Sequence, residues 1–188
     1  FQLADHEIVI TDSRVPRKLT ESAYNERREE CEAALGALRQ DRDLEFLCSA
    51  TSEDVEACDA LRTMATPYRR ARHVVSENER VIEAAAALAD GNLARLGQLM
   101  YDSHVSLRDD FQVSCPELDI LVETAMSISG VLGSRMTGAG FGGCTVSLVA
   151  SSAVPNFVAT IGEKYSMATP YRADVIRCHT GDGVKRLS

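Results

Sequence analysis

The alternation of apolar and polar positions predicts a strand followed by a long amphipathic helix at the start of the chain. EIVITDSRV, at 7–15, has the β-branched residues of a strand, and Pro16 ends it because proline has no backbone donor. Apolar residues at 31, 34, 35 and 38 recur with the spacing of one helix face. We therefore expect a helix over 22–39.

The middle of the chain has the periodicity and end signals of further helices. Ser52, followed by acidic residues, predicts the capped start of a short helix. Pro67 opens a longer helix whose apolar stripe includes Val81, and Gly91 ends it. Two more helices are predicted from the helical spacing of apolar residues, one starting at Leu93 and one at Pro116. The second also has a proline at its first turn.

The last third of the chain returns to strands. Five glycines within 133–143 indicate a loop, since glycine adopts positive φ freely and weakens regular structure. CTVSLVA, at 144–150, then predicts a strand, with a helix near 153–166 and a last strand within 169–178. The order of elements predicts an α+β fold, with a mostly antiparallel sheet and helices covering a face.

The glycine-rich loop is the strongest candidate for a functional segment. Its backbone N–H groups could bind phosphate oxygens, and its missing side chains could let a second phosphate loop pack closely. No Lys-Ser or Lys-Thr follows the glycines, so it is not a P-loop, and a strand rather than a helix follows it, unlike a dinucleotide-binding turn. A purely structural tight turn stays open as the alternative.

Composition excludes several classes of protein. The 188 residues are 45% apolar, enough for one large domain or two small ones, and the net charge of -8 argues against nucleic acid as a partner. The sequence has no membrane-length apolar run and no signal peptide, so we expect a cytoplasmic protein that binds no membrane. Its six cysteines lack zinc-site spacing and predict free thiols, mostly buried.

The stretch SHVSLRDDF, at 103–111, holds serine, histidine and aspartate within a few residues. Neighbouring letters do not make a catalytic triad, so we assign no nucleophilic role to Ser103 or His104. Asp109 and Asp110 predict an exposed acidic pair at a helix end rather than a cation site. His73 is expected on a helix surface or in packing.

Four segments occur in the order found in the C-terminal half of galactokinases. They are ESAYNERREECE, RARHVVSENER, MYDSHVSLRDDFQVSCPELDILVE and GSRMTGAGFGGCTVSLV. The last resembles the third signature motif of the GHMP kinases. The resemblance implies transfer of the ATP γ-phosphoryl group to the C1 hydroxyl of α-D-galactose, with Mg²⁺. It also implies that 1–188 is a ferredoxin-like GHMP kinase C-terminal domain forming one wall of a cleft.

The same resemblance implies roles for a few residues. By packing alone Tyr24 would be a core residue, but it matches the tyrosine of the family segment S-E-Y-x-x-R-R that contacts the sugar. Arg17 lies where some relatives have a basic residue near the phosphates, although SRVPRKLTESAY departs from the usual pattern there. The residues that match the third motif, and so would support the nucleotide phosphates, are Ser134, Thr137, Gly138, Gly140, Gly142 and Gly143.

The family's G-R-V-N-L-I-G-E-H motif, its G-L-S-S-S-A phosphate loop and its catalytic aspartate have no match in the sequence. We therefore expect a fragment of a longer two-domain chain, inactive alone, whose own N-terminal half is its partner and binds most of the ATP and Mg²⁺. No catalytic or metal-binding residue is assigned here. Three alternatives stay open: a sister kinase of N-acetylgalactosamine, arabinose or galacturonate, a galactose-sensing regulator, and a ferredoxin-like interaction module.

Overall fold

A computed structural model describes residues 3–16, 20–178 and 181. The strands of the described residues are β1 His6–Asp12, β2 Val131–Thr137, β3 Cys144–Ala150 and β4 Asp174–Cys178. The α-helices are α1 Thr20–Leu38, α2 Ser52–Ala57, α3 Asp59–Arg62, α4 Ala65–Ala89, α5 Leu93–Ser106, α6 Pro116–Met126 and α7 Val154–Ala168. A π-helical turn, Leu107–Phe111, follows α5, and 3₁₀ turns lie at Leu47–Ser49 and Ser151–Ala153.

The strands form one sheet in the order β2-β3-β1-β4, and all three pairings are antiparallel. Helices separate β1 from β2 and β3 from β4, while β2 and β3 are joined directly by the glycine-rich loop. This is the βαββαβ arrangement of ferredoxin-like folds, with α1 to α6 inserted in the first crossover. The predicted α+β class and antiparallel sheet are confirmed.

The two faces of the sheet are covered differently. Helices α6 and α7 cover one face, where Val9, Val149 and Phe157 lie in a fully buried cluster. Helix α5 lies on the other face, over β2. There Gly97 and Gly133 bring the two backbones together: a Cβ at Gly97 would lie 2.2 Å from the Leu132 carbonyl oxygen. Any larger residue at this crossing would push α5 off the sheet.

A second core lies among α1 to α4, away from the sheet. Leu38, Val55 and Leu61 are buried there. The apolar stripe predicted for α4 included Val81, but this prediction is wrong because Val81 is 59% exposed. The helix instead buries polar residues, of which Arg70 is the largest, and hydrophobic periodicity cannot detect such positions.

Helix ends agree well with the sequence signals. Gly91 follows α4 with φ +68°, and Pro116 opens α6. The cap of α2 is one residue earlier than predicted. Thr51 accepts a hydrogen bond from the Asp54 N–H, and Asp54 accepts one from the Thr51 N–H, forming a capping box.

The strand β2 was not predicted, and this is the main error in the predicted order of elements. We expected 133–143 to be one loop, but 133–137 belong to β2 and the loop is only 138–143. The segment lacks the run of β-branched residues that marks β3, and Gly133 argues locally against a strand. Contact with Gly97 outweighs that local preference. β1 also ends earlier than predicted, at Asp12.

All six cysteines are free thiols, as predicted, but only Cys58 is fully buried and Cys48 is exposed. In residues 3–16, 20–178 and 181, no helix has both the length and the hydropathy needed to cross a bilayer.

Candidate functional site

The loop 138–143 is the tight connection between β2 and β3, and positive φ angles dominate it. Its glycines at 138, 140, 142 and 143 all have φ between 83° and 120°, and Phe141 has φ 57°. The loop is fixed at both ends: the Phe141 N–H donates to the Val113 carbonyl at 2.8 Å, and the Ser13 N–H donates to the Gly143 carbonyl at 2.9 Å. It is therefore a shaped loop rather than a slack linker.

A side chain would clash with the backbone at one of these glycines and would be crowded at another. A Cβ at Gly140 would lie 2.1 Å from the Val113 carbonyl oxygen, and one at Gly142 would lie 3.0 Å from the Val15 carbonyl oxygen. Gly138 and Ala139 are instead exposed. Positive φ at both Gly138 and Gly140, but not at Ala139, is the kind of alternation found in backbone turns that bind anions.

A cavity of about 320 Å³ lies between α1, the π-helical turn and this loop. Tyr24 and Arg27 of α1 line one side, Phe111 lines the second, and Gly138 and Phe141 line the third. Tyr24 is 63% exposed, so its ring and hydroxyl are open to a ligand. The structure therefore brings Tyr24 next to the glycine loop, although 113 positions separate Tyr24 from Thr137 at the loop's start.

The other predicted site residues are distributed differently. Thr137 is exposed at the end of β2, beside the loop. Ser134 is fully buried in the same strand, and its hydroxyl lies 2.8 Å from that of Ser147 on β3. It thus supports the hairpin that carries the loop and does not reach the loop surface. Arg17 lies outside the described residues.

A buried arginine that the sequence did not reveal joins the two elements that form the walls of the cavity, α1 and the π-helical turn. Arg70 is 1% exposed. Its Nε donates a hydrogen bond to Glu30 Oε2 at 2.7 Å, and its Nη2 donates one to Gln112 Oε1 at 3.0 Å. Its Nη1 donates to the Asp110 carbonyl. Arg27 joins the same group, since its Nη1 lies 2.9 Å from Glu30 Oε2. These hydrogen bonds fix the distance between helix α1 and the π-helical turn.

Glu30 is ionised within this group. Burial acts to raise the pKa of Glu30, but Arg70 and Arg27 outweigh it and hold that pKa below its ordinary value. No sequence signal could have found this network, because its members come from α1, α4 and the turn after α5 and meet only in the folded chain.

Asp110 corrects the prediction of an exposed acidic pair. Asp109 is exposed, but Asp110 is buried, pairs with Arg72 and accepts a hydrogen bond from the Ser106 hydroxyl at 3.2 Å. Asp110 belongs to the π-helical turn, and its partners Arg72 and Ser106 come from α4 and α5, so the spacing of the acidic pair alone could not reveal its burial.

His73 packs against this turn. Its ring stacks on Phe111 with centroids 4.5 Å apart, and its Nδ1 lies 3.0 Å from the Ser106 hydroxyl. Burial lowers the pKa of His73 from 6.5 to about 4. The neutral ring therefore helps to hold the Phe111 side of the cavity.

The stability of the chain should fall in weak acid because of His73. Above about pH 6.5 its contribution is complete; as the pH falls towards 4, the unfolded chain takes up a proton that the folded chain excludes. Between pH 7 and pH 5 we expect a loss of about 2 kcal/mol that is absent in His73→Phe. Urea unfolding of both proteins at the two pH values measures it, and equal losses would contradict it.

Ser103 and His104 form separate buried contacts. The Ser103 hydroxyl donates to Glu77 Oε1 at 2.6 Å. His104 Nδ1 accepts from the Met136 N–H at 3.3 Å, and its Nε2 is 3.2 Å from Asp119 Oδ1 at an angle poor for a hydrogen bond. These contacts join α5 to its neighbours. No group of three or more metal-ligating side chains occurs among the residues that the structure describes.

Comparison with known proteins identifies the fold and its family. The family described as GHMP kinases C terminal matches residues 84–166. The galactokinase of Roseiflexus sp. (strain RS-1) is 49% identical over 181 residues, covering 96% of this chain and 46% of that protein. The galactokinase of Bacillus subtilis (strain 168) is 43% identical over 180 residues, with the same two coverages.

Solved structures agree. Lactococcus lactis galactokinase complexed with galactose matches with a TM-score of 0.93 and 42% identity, over 99% of this chain and 48% of that one. L. major mevalonate kinase in complex with R-mevalonate, at 21% identity and a TM-score of 0.51, shares the fold alone. The chain spans about half the length of the curated relatives it matches. It therefore carries the C-terminal domain of the GHMP kinases and corresponds to the C-terminal half of galactokinases.

Proposed function

We propose that this chain is the C-terminal half of a cytoplasmic galactokinase, which transfers the γ-phosphoryl group of ATP to the C1 hydroxyl of galactose. One observation carries the proposal: Tyr24 and the glycine loop line the same cavity. The relative with a TM-score of 0.93 was solved with galactose, which supports galactose as the sugar. The other sugar kinases and the sensor are not favoured by these comparisons, whose curated proteins are galactokinases.

In this proposal the two sides of the cavity do different work. Tyr24 contacts the sugar through its exposed ring and hydroxyl, and the N–H groups at Gly138 to Gly140 face the phosphates. The buried glycines let the phosphate loop of the N-terminal half approach closely. Phosphoryl transfer depends on positioning and on stabilising the transferred charge, so each of these contacts has a defined part.

The remaining parts of the reaction are assigned to the N-terminal half. The charged residues lining the cavity, within the described part of the chain, are Arg27 and Arg28, and no carboxylate lines it. A base for the sugar hydroxyl and ligands for Mg²⁺ both call for carboxylates. We therefore propose that ATP and Mg²⁺ are bound mainly by that half and that the chain alone has no kinase activity.

Galactose-dependent ATP turnover tests this function directly. The chain would be assayed alone and fused to the N-terminal half of the Roseiflexus galactokinase, with the Tyr24→Phe and Tyr101→Phe variants made in the fusion. Turnover is expected only in the fusion. Tyr24→Phe should raise the KM for galactose about three- to tenfold, the effect of one lost hydrogen bond.

Tyr101→Phe is the matched control, because the Tyr101 hydroxyl bonds Glu123 rather than lining the cavity. Its KM should equal that of the parent. Turnover by the chain alone, or an unchanged KM in Tyr24→Phe, would refute the respective assignment.

A further inference from the structure

Gln112 has an unusual backbone conformation at the end of the π-helical turn. Its φ of 56° and ψ of 49° place it in the left-handed region, which a residue with a side chain seldom adopts unless its surroundings hold it there. Its N–H donates to the Leu107 carbonyl, and the N–H of Val113 donates to the same oxygen at 3.1 Å. These two bonds close the end of the turn.

Two arginines attach Gln112 to the neighbouring helices. Its side-chain Oε1 accepts a hydrogen bond from Arg70 Nη2 of α4 at 3.0 Å, and its backbone carbonyl accepts one from Arg27 Nη2 of α1 at 3.3 Å. Arg27 lies three residues after Tyr24, and both side chains line the cavity. Because residues three apart are neighbours on a helix surface, Gln112 is joined to the part of α1 that carries the proposed sugar contact.

The next residue, Val113, joins Gln112 to the glycine loop. The Val113 carbonyl accepts the Phe141 N–H at 2.8 Å, and its oxygen is also the atom that a Cβ at Gly140 would approach most closely. Val113 is buried, so solvent does not replace it at the loop. The contacts with α1 and α4 and the contact with the loop are therefore made by two consecutive residues.

We infer that Gln112 is a positioning residue for phosphoryl transfer, because it sets the distance between Tyr24 and the glycine loop. This inference rests on the proposed function. The described residues that line the cavity include Phe111 and Val113, on either side of Gln112, but not Gln112 itself, so it acts through its neighbours. Phosphoryl transfer needs the sugar hydroxyl and the γ-phosphate in line, and a displacement of about 1 Å can lower the rate about a hundredfold.

Steady-state kinetics of the fusion with the N-terminal half of the Roseiflexus galactokinase test this role. Gln112→Gly removes the side-chain hydrogen bond but adopts the left-handed conformation without strain, so the variant should remain folded. Its kcat should fall about ten- to a hundredfold, while the KM values for galactose and ATP change less than about twofold. Each ligand still binds in this variant, but the two are misaligned.

A conservative variant and a control separate positioning from general stability. Gln112→Glu keeps an oxygen acceptor at the same reach and should recover most of the kcat. Gln98→Ala removes an amide that bonds Asp102 on the exposed surface of α5, away from the cavity lining, and its kcat should equal that of the parent. Thermal unfolding of each variant is measured alongside the kinetics.

Three kinetic results would overturn the inference. The first is an unchanged kcat in Gln112→Gly. The second is an equal fall in Gln98→Ala. The third is a loss in Gln112→Gly that accompanies a lower unfolding temperature and that Gln112→Glu does not recover, since Gln112 would then be needed for folding alone.

Hydrogen exchange separates a failure of this inference from a failure of the proposed function. In the same fusion proteins, mass spectrometry follows the peptide that contains the Phe141 N–H. This amide should exchange at least about tenfold faster in Gln112→Gly than in the parent, and at the parent rate in Gln98→Ala. If the parent fusion does not phosphorylate galactose, the proposed function falls, but faster exchange in Gln112→Gly still supports the link from Gln112 to the loop. Unchanged exchange in Gln112→Gly overturns the inference whether or not the parent is active.

Discussion

Replacing Arg70 with alanine should lower the free energy of unfolding of the chain by about 3–5 kcal/mol. The guanidinium is fully buried and is the shared donor to Glu30 on α1 and to Gln112 and the Asp110 carbonyl beside the cavity. Its removal leaves a buried carbonyl without its donor and a partly buried carboxylate that keeps only Arg27, and such groups cost more than the interaction itself contributes. Urea unfolding at pH 7 gives the number.

Two further variants separate the charge of Arg70 from its geometry. Arg70→Lys keeps the positive charge but cannot donate in three directions at fixed angles, so it should recover only part of the loss. Arg28→Ala removes an arginine of α1 that pairs with Glu32 on the surface. This change should lower the free energy of unfolding by less than about 1 kcal/mol. An Arg70→Ala protein as stable as Arg28→Ala would disprove the supporting role.

The same network should control the shape of the cavity. The sequence contains no tryptophan, so Tyr24→Trp would introduce a single fluorescent reporter on the α1 side. Because position 24 is already 63% exposed, loosening of α1 in an Arg70→Lys background should show as a fall in the fluorescence anisotropy of this tryptophan. The position of Tyr24 thus depends on a residue 46 places along the chain, and this dependence is a property of the folded protein.

Local signals in the sequence are sufficient where an element is set by its own residues. Gly91 and Pro116 mark helix ends through their backbone preferences, and the β-branched run CTVSLVA coincides with β3. The glycine loop is likewise recognisable from its composition. Together these features are enough to predict the α+β class and the antiparallel sheet.

Features that depend on contacts between distant segments were missed. β2 packs against α5 through paired glycines, and Asp110 is buried where it meets Arg72 of α4 and Ser106 of α5. Packing preference alone placed Tyr24 in the core, and only family resemblance moved it to the sugar site. In the structure its ring is exposed at the cavity. The contact of that ring with sugar stays a prediction until the KM measurement is made.

The second large effect is expected at the glycine loop itself. Gly140→Ala should lower the free energy of unfolding by about 2–4 kcal/mol, because two costs combine. The residue has φ +85°, which alanine adopts only at a cost, and its Cβ would lie 2.1 Å from the Val113 carbonyl oxygen. That carbonyl also accepts the Phe141 N–H, so relieving the clash would break the bond that fixes the loop.

Gly36→Ala provides a control of opposite sign. Gly36 lies in α1 with open space around it, so alanine there should stabilise the chain by about 0.5–1 kcal/mol through helix propensity. If Gly140→Ala also stabilises the chain, the loop is not held as described. If it destabilises the isolated chain as expected, Gly140 is required by packing against Val113 even without ligand. The exposed Gly138 then becomes the position at which to test phosphate binding, since a substitution there changes the surface offered to the nucleotide.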